Sequence, residues 1–161
     1  MVRNDKTSEP AEPAVDQAWQ EFADFLRESG ARVTQARRII LERVASREDH
    51  FRADRLAEDL SAGPERVSRG TVYNTLALLV EAGMVRELRD TDRHSHYEYI
   101  HGRRHHEHMI CTRCRTFIEF TDPEMGRIID RACRERGFKQ ETRRVIVTGL
   151  CSKCRSEIGP R

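Results

Sequence analysis

Two Cys-x-x-Cys pairs, Cys111/Cys114 and Cys151/Cys154, restrict the fold of this 161-residue chain more than any other feature. Each turn presents two sulfurs to one ion. Two such turns close a tetrahedron with no position left open for a substrate, as in a structural Zn²⁺ site. Segments far apart in sequence must therefore meet in space. No run approaches the roughly 20 apolar residues of a membrane span, and the polar start MVRNDKTSEPAEP lacks the apolar core of a secretory signal. A cytoplasmic protein is expected, and in a reducing compartment paired cysteines are ligands more often than disulfides. Cys133 falls in the middle of a helical pattern without a partner and reads as an ordinary buried thiol.

The first pair is preceded by a run of histidines, HGRRHHEHMICTRC from His101 to Cys114. Side chains alternate in an extended segment, so His106 and His108 share one side and His105 and Glu107 the other. Imidazoles and carboxylates suit an exchangeable divalent ion of the Fe, Mn or Zn class. His94, His96 and His101 read as surface histidines. HHEH is not the HExxH of zinc proteases, whose histidines stand one helical turn apart. His105-x-Glu107 also lacks the proline and spacing of a zinc deaminase. With no Gly-rich phosphate loop or serine elbow either, the chain is not expected to be an enzyme.

The 29 Lys+Arg and 27 Asp+Glu give a net charge of +2, too small to announce a polyanion-binding protein. Residues 16–100 carry 13 Lys and Arg against 16 Asp and Glu, whereas residues 101–161 carry 14 against 8. Any DNA contact made by the first part must rely on locally clustered arginines, not on a bulk field.

Residues 1–15 are rich in Pro, Glu, Asp, Lys and Ser and read as a disordered tail. A first helix starts at Asp16, with Trp19, Phe22, Phe25 and Leu26 at helical spacing and Gly30 as its stop. Thr34 caps a second helix that buries Ile39, Ile40, Leu41 and Val44. A third runs from about Ala53 to Leu60, with His50 on its approach, and Ser61 to Arg66 reads as a turn. Ser68 caps the next helix, RGTVYNTLALLVEA, closed by Gly83. Its inward stripe is Val72, Leu76, Leu79 and Val80, leaving Arg69, Thr71, Tyr73, Asn74 and Thr75 near the exposed start. Met84–Arg89 and His96–Ile100 alternate as strands around a turn at Asp90–Arg93.

Helices ending in a hairpin describe a winged helix-turn-helix over residues 16–100. A helix of that unit enters the major groove, and polar side chains near its N-terminus reach base edges while arginines hold phosphates. Tyr73 and Asn74 are the candidate base readers, with Asn suited to adenine. Arg32, Arg37 and Arg69 are candidate phosphate contacts, beside Thr71. Winged helices also serve as protein-docking modules, so a zinc-stapled docking module stands as the competing class, with a zinc hydrolase behind it.

Residues 101–161 read as a smaller α/β unit. Thr116–Phe120 alternates as a strand, Asp122-Pro123 opens a helix to about Arg136, and Phe138–Val147 reads as the last strand before the second Cys pair. With little apolar material, this half needs zinc for stability, and pairing with a second copy would add more. The fold class expected is α+β, a winged helix followed by a zinc-stapled dimerisation domain.

The winged helix containing RGTVYNTLALLVEAGMV, then YEY, HHEHMICTRC, IEF and a terminal CxxC resembles the ferric uptake regulator (Fur) family of bacterial metal-dependent repressors, over about residues 16–155. The resemblance implies a homodimer that binds an inverted-repeat DNA operator. It places a regulatory metal at His50, Glu98, His106, His108 and Glu119, clasping the two halves. Many members have a further metal site whose first part matches His105 and Glu107. Its later carboxylate and histidine align with Gly126 and Arg143, neither of which binds metal, so that site is expected to be absent or rebuilt. Glu98, where peroxide sensors typically have Asp, and the all-N/O ligand set favour Fe²⁺ as the regulatory metal, with Mn²⁺ or Zn²⁺ as alternatives. Tyr73-Asn74 is closer to the peroxide-sensing branch.

Overall fold

Among the described residues, four helices and a hairpin build the first of two units, and the boundary along the chain falls between Arg103 and Arg104. The computed structural model describes residues 12–89 and 94–157, with side chains from residue 15. The fold is α+β. In the first unit α1 spans Glu12–Glu28, α2 Gln35–Ala45, α3 Ala53–Ala62 and α4 Arg69–Glu81, followed by β1 Val85–Arg89 and β2 Ser95–Tyr99. Helix α1 thus takes in residues 12–15, which the sequence assigns to the tail: Pro is tolerated in a helix's first turn, and Val15 packs against the core. Residues 1–11 and the expected turn at Asp90–Arg93 lie outside the described residues.

Apolar periodicity sets the core of this unit. Phe22 and Leu26 of α1, Ile40 and Leu41 of α2, Leu56 and Leu60 of α3, and Leu76 and Leu79 of α4 are all fully buried. Each such side chain contributes about 1.5–3 kcal/mol of burial free energy. Ser68 caps α4, its hydroxyl accepting from the Thr71 amide at 3.2 Å. The helix closes in a Schellman turn: Gly83, at φ 71°, donates to the Val80 carbonyl at 3.0 Å, and Met84 donates to that of Leu79 at 2.9 Å. Thr75 departs from the expectation. It is fully buried, because it lies one turn from Val72 and Leu79 on the same inward stripe.

In the second unit β3 spans Glu107–Cys111, β4 Phe117–Phe120, α5 Pro123–Glu135, β5 Ile146–Gly149 and α6 Ser152–Ser156. The sheet order is β4-β3-β5, antiparallel between β3 and β4 and parallel between β3 and β5. Asp122 caps α5, accepting from the amides of Glu124 and Met125, with Pro123 in the first turn. The last strand is shorter than Phe138–Val147. The Phe138 amide closes the end of α5 on the Cys133 carbonyl at 2.9 Å, and the Val145 amide donates to the Glu107 side chain, so the ladder with β3 starts late. Ile110 is the one large aliphatic side chain that is fully buried among the described residues of this unit. No helix of the described residues is long and apolar enough to cross a membrane.

Candidate metal centre and nucleic-acid interface

Strand β3 ends at Cys111, and the chain turns back through Cys114 with Arg115 in the left-handed region at φ 63°. In parallel with it, β5 ends at Gly149, and Cys151 caps α6, whose first turn carries Cys154. The Thr112 amide donates to the Gly149 carbonyl at 2.8 Å, tying the two approaches together. The sulfurs of Cys111, Cys114, Cys151 and Cys154 all lie within 4.8 Å of one another, with Cys114 and Cys151 at 3.7 Å. A tetrahedron of Zn–S bonds near 2.3 Å has edges of about 3.8 Å, so the cluster has the size for one such ion.

Its electrostatics ask for a cation. The amides of Cys114 and Cys151 donate to the Cys111 sulfur and pull its pKa down to about 5, although burial opposes them. Burial, and then the proximity of the Cys151, Cys114 and Cys111 sulfurs, push Cys154 up to about 12. A divalent ion at the centre removes this conflict by stabilising every thiolate at once.

The histidine run approaches along β3. His106 and His108 stand together, ring centroids 4.9 Å apart, and Glu119 on β4 is the direct cross-strand partner of the buried His108. The Nδ1 of His106 lies 3.1 Å from the Arg104 carbonyl, and its Nε2 lies 3.9 Å from Glu119. Donation from Nδ1–H to that carbonyl selects the tautomer with its lone pair on Nε2.

On the other face, His105 Nε2 is 2.8 Å from Glu107 Oε1, and Arg143 Nε donates to the same oxygen at 3.1 Å. The Val145 amide donates to Glu107 Oε2 at 3.0 Å. Burial pushes the Glu107 carboxyl up, but the hydrogen bonds from His105, Val145 and Arg143 outweigh it and hold it below the ordinary glutamate range. The sequence marks Arg143 only as unable to bind metal; its place beside Glu107 follows from the turn into β5.

The first unit positions its own pair. Phe51 forms an antiparallel bridge with Tyr97, which sets His50 across from Glu98, Nε2 to Oε2 3.6 Å, with both side chains largely buried. Arg86, the β1 partner of Glu98, lies 3.9 Å from the same carboxylate oxygen. The sequence reading missed Arg86, which the 2-residue period of β1 could have placed opposite Glu98. His101 pairs with Glu21 at 3.5 Å. Cys133 is half-buried, its thiol 3.7 Å from Gln140 Oε1.

Because Val72, Thr75, Leu76 and Leu79 face inward, α4 turns Arg69, Tyr73 and Asn74 outward, and Tyr73 is 43 % exposed. Thr71 is half-buried, its hydroxyl 2.8 Å from that of Ser68. Arg32 is exposed, and Arg37 donates to the Arg32 carbonyl. Arg38 is held by Asp16 and Glu42, each at 2.8 Å.

A winged-helix unit followed by a unit with a four-cysteine metal-type site and a histidine–glutamate set defines a metal-binding, DNA-binding regulator. Residues 28–148 match the model of the ferric uptake regulator family. The chain belongs to that family of metal-responsive transcriptional regulators. It is 31 % identical over 135 residues to the peroxide operon regulator of Bacillus subtilis, covering 84 % of this chain and 92 % of that one. Among solved structures, the ferric uptake regulator of Pseudomonas aeruginosa with manganese superposes with a TM-score of 0.70 at 29 % identity, covering 80 % of this chain and 96 % of that one. The Helicobacter pylori ferric uptake regulator shares the fold, with a TM-score of 0.77 at 17 % identity over 92 % and 97 % of the two chains.

Proposed function

We propose that this protein is a cytoplasmic, iron-dependent repressor that binds an inverted-repeat operator as a homodimer. One chelator-resistant Zn²⁺ on Cys111, Cys114, Cys151 and Cys154 holds the second unit together. One exchangeable Fe²⁺ on His50, Glu98, His106, His108 and Glu119 links the two units and fixes the angle at which α4 meets DNA. The observation that carries this reading is the chemical split between an all-sulfur set and an N/O set. Sulfur favours a permanent soft-ligand site, and imidazole with carboxylate favours a metal that exchanges. His50 and Glu98 are paired within the first unit, and His106, His108 and Glu119 within the second. A metal that binds only the clasped form favours it by RT ln(1 + [M]/Kd), about 2.7 kcal/mol at a hundredfold excess over Kd.

Dimerisation through the second unit is supported by the apolar side chains it leaves open. Met109, Ile118, Ile146 and Val147 of the sheet and Ile128 of α5 are 36–50 % exposed. On DNA, Tyr73 and Asn74 read bases, while Arg69, Arg32, Arg37 and Thr71 contact the phosphate backbone. The domain roles follow: residues 16–100 bind DNA and residues 101–161 bind metal and dimerise. No reaction is assigned to the chain.

The test is selection from a randomised duplex library with and without Fe²⁺ or Mn²⁺, followed by salt-dependent affinity on the selected site. Metal-strengthened binding that His106→Ala/His108→Ala removes is expected. Metal-strengthened binding unchanged in that variant would overturn the clasp. A second reading, peroxide sensing, is supported by the similarity to the B. subtilis peroxide operon regulator. It requires H₂O₂ to abolish DNA binding of the Fe²⁺-loaded but not the Mn²⁺-loaded protein.

A further inference from the structure

The opposite face of the histidine run holds a cluster that the clasp does not use. Glu107 is 3 % exposed, a charge that needs a partner at that depth. His105 Nε2 lies 2.8 Å from its Oε1, so an imidazole and a carboxylate, donor types that suit a divalent Fe, Mn or Zn ion, stand side by side. Arg143 stands there instead. Its Nε–H donates to the same Oε1 at 3.1 Å and lies 3.3 Å from His105 Nε2, a nitrogen already engaged with Glu107.

Helix α5 is shaped for this guanidinium. Gly126 is the buried residue of α5, and a Cβ there would lie 3.1 Å from Arg143 Nη1 and 3.6 Å from Nη2. A Cβ at 126 would require the guanidinium to give by a few tenths of an ångström, and Arg143 is already fastened to Glu107. The absence of a side chain on α5 and the presence of a long cationic one at 143 are thus complementary.

We propose that Arg143 is a built-in cation, its guanidinium taking the place of a divalent metal at the His105–Glu107 pair and fastening the turn into β5 to β3, beside Gly126 of α5, by a fixed charge. A planar guanidinium stays protonated at any physiological pH and cannot dissociate. This corner is therefore insensitive to metal supply, and it binds none. The cluster lies wholly within the second unit, so the inference stands independently of the clasp.

Three measurements on the full-length, zinc-replete protein test it. Metal content after equilibration with excess Mn²⁺ or Zn²⁺ is expected to be unchanged by His105→Ala; loss of one metal per chain would overturn the proposal. Arg143→His, which substitutes a neutral ligand for the cation, is expected to gain one metal per chain, and the gain is expected to vanish on adding His105→Ala. A folded Arg143→His protein with no gain would overturn the equivalence of guanidinium and metal. Arg143→Ala is expected to lower Tm by about 5 °C or more, since it takes the permanent cation from a buried carboxylate and leaves it only the His105 and Val145 hydrogen bonds; an unchanged Tm would overturn the tie.

Discussion

Phe51 and Tyr97 exchange both main-chain hydrogen bonds, Phe51 N–H to Tyr97 O at 2.9 Å and Tyr97 N–H to Phe51 O at 2.7 Å. This single antiparallel bridge adds the approach to α3 to the edge of the wing. Residues on either side of a bridged pair face one another in turn, so His50 is brought opposite Glu98. A histidine–glutamate pair from distant stretches of chain is thereby assembled within one unit.

The first prediction concerns that carboxylate. Glu98→Gln keeps the shape of a side chain that is 1 % exposed and removes its charge. We expect affinity for the exchangeable metal to fall at least about 10-fold, with the four-cysteine zinc content unchanged. Metal titration followed by isothermal calorimetry reads the first, and elemental analysis the second.

Zinc removal is expected to unfold one unit before the other. Cys111→Ser or Cys151→Ser leaves the second unit with Ile110 as its fully buried large aliphatic residue among those described, too little to offset chain entropy. The first unit keeps its core. Hydrogen exchange should show loss of protection in β3, β4 and α5 with that of α2 and α4 retained.

The proposed roles of the exposed α4 residues, base reading and phosphate anchoring, are expected to separate experimentally. Asn74→Ala is expected to cost about 1–3 kcal/mol of discrimination at one base position of the selected site. Arg69→Ala is expected to weaken binding across all sequences and to reduce the salt slope by about 1. Affinity across a panel of single-base variants at several salt concentrations distinguishes the two.

Acid stability follows from Glu107. Its folded pKa lies below the ordinary glutamate value of 4.5, with burial opposed by His105, the Val145 amide and Arg143. A depressed carboxylate contributes stability that is complete above the unfolded value and is lost as pH falls through the folded one. The second unit should therefore lose stability on acidification from about pH 4.5, over the range where Glu107 protonates. Glu107→Gln is less stable at neutral pH and should show a weaker dependence on acid. Thermal melts between pH 3 and 7 measure both slopes.

Local chemistry made much of this protein legible in its sequence. Ser68 and Gly83 bound α4 because a hydroxyl cap and a left-handed glycine act within one turn of chain. Asp122-Pro123 starts α5 for the same kind of reason. The two CxxC turns announced a shared sulfur site because each already carries half a tetrahedron. The alternation that puts His106 with His108 and His105 with Glu107 is a property of extended chain.

Other features waited on the tertiary structure, because they join residues that no local rule relates. The last strand begins at Ile146 and not at Phe138, since the side chain of Glu107 takes the Val145 amide. Arg143 meets both Gly126 and Glu107 only once the turn into β5 is in place, and all three are far apart in sequence. His50 faces Glu98 only once Phe51 pairs with Tyr97. The sequence by itself determined where α4 and α5 start and stop and which side chains are of metal-ligating type. The fold decided which of those side chains meet and where a guanidinium stands among them, because hydrogen-bond register and side-chain volume act between segments that only packing brings together.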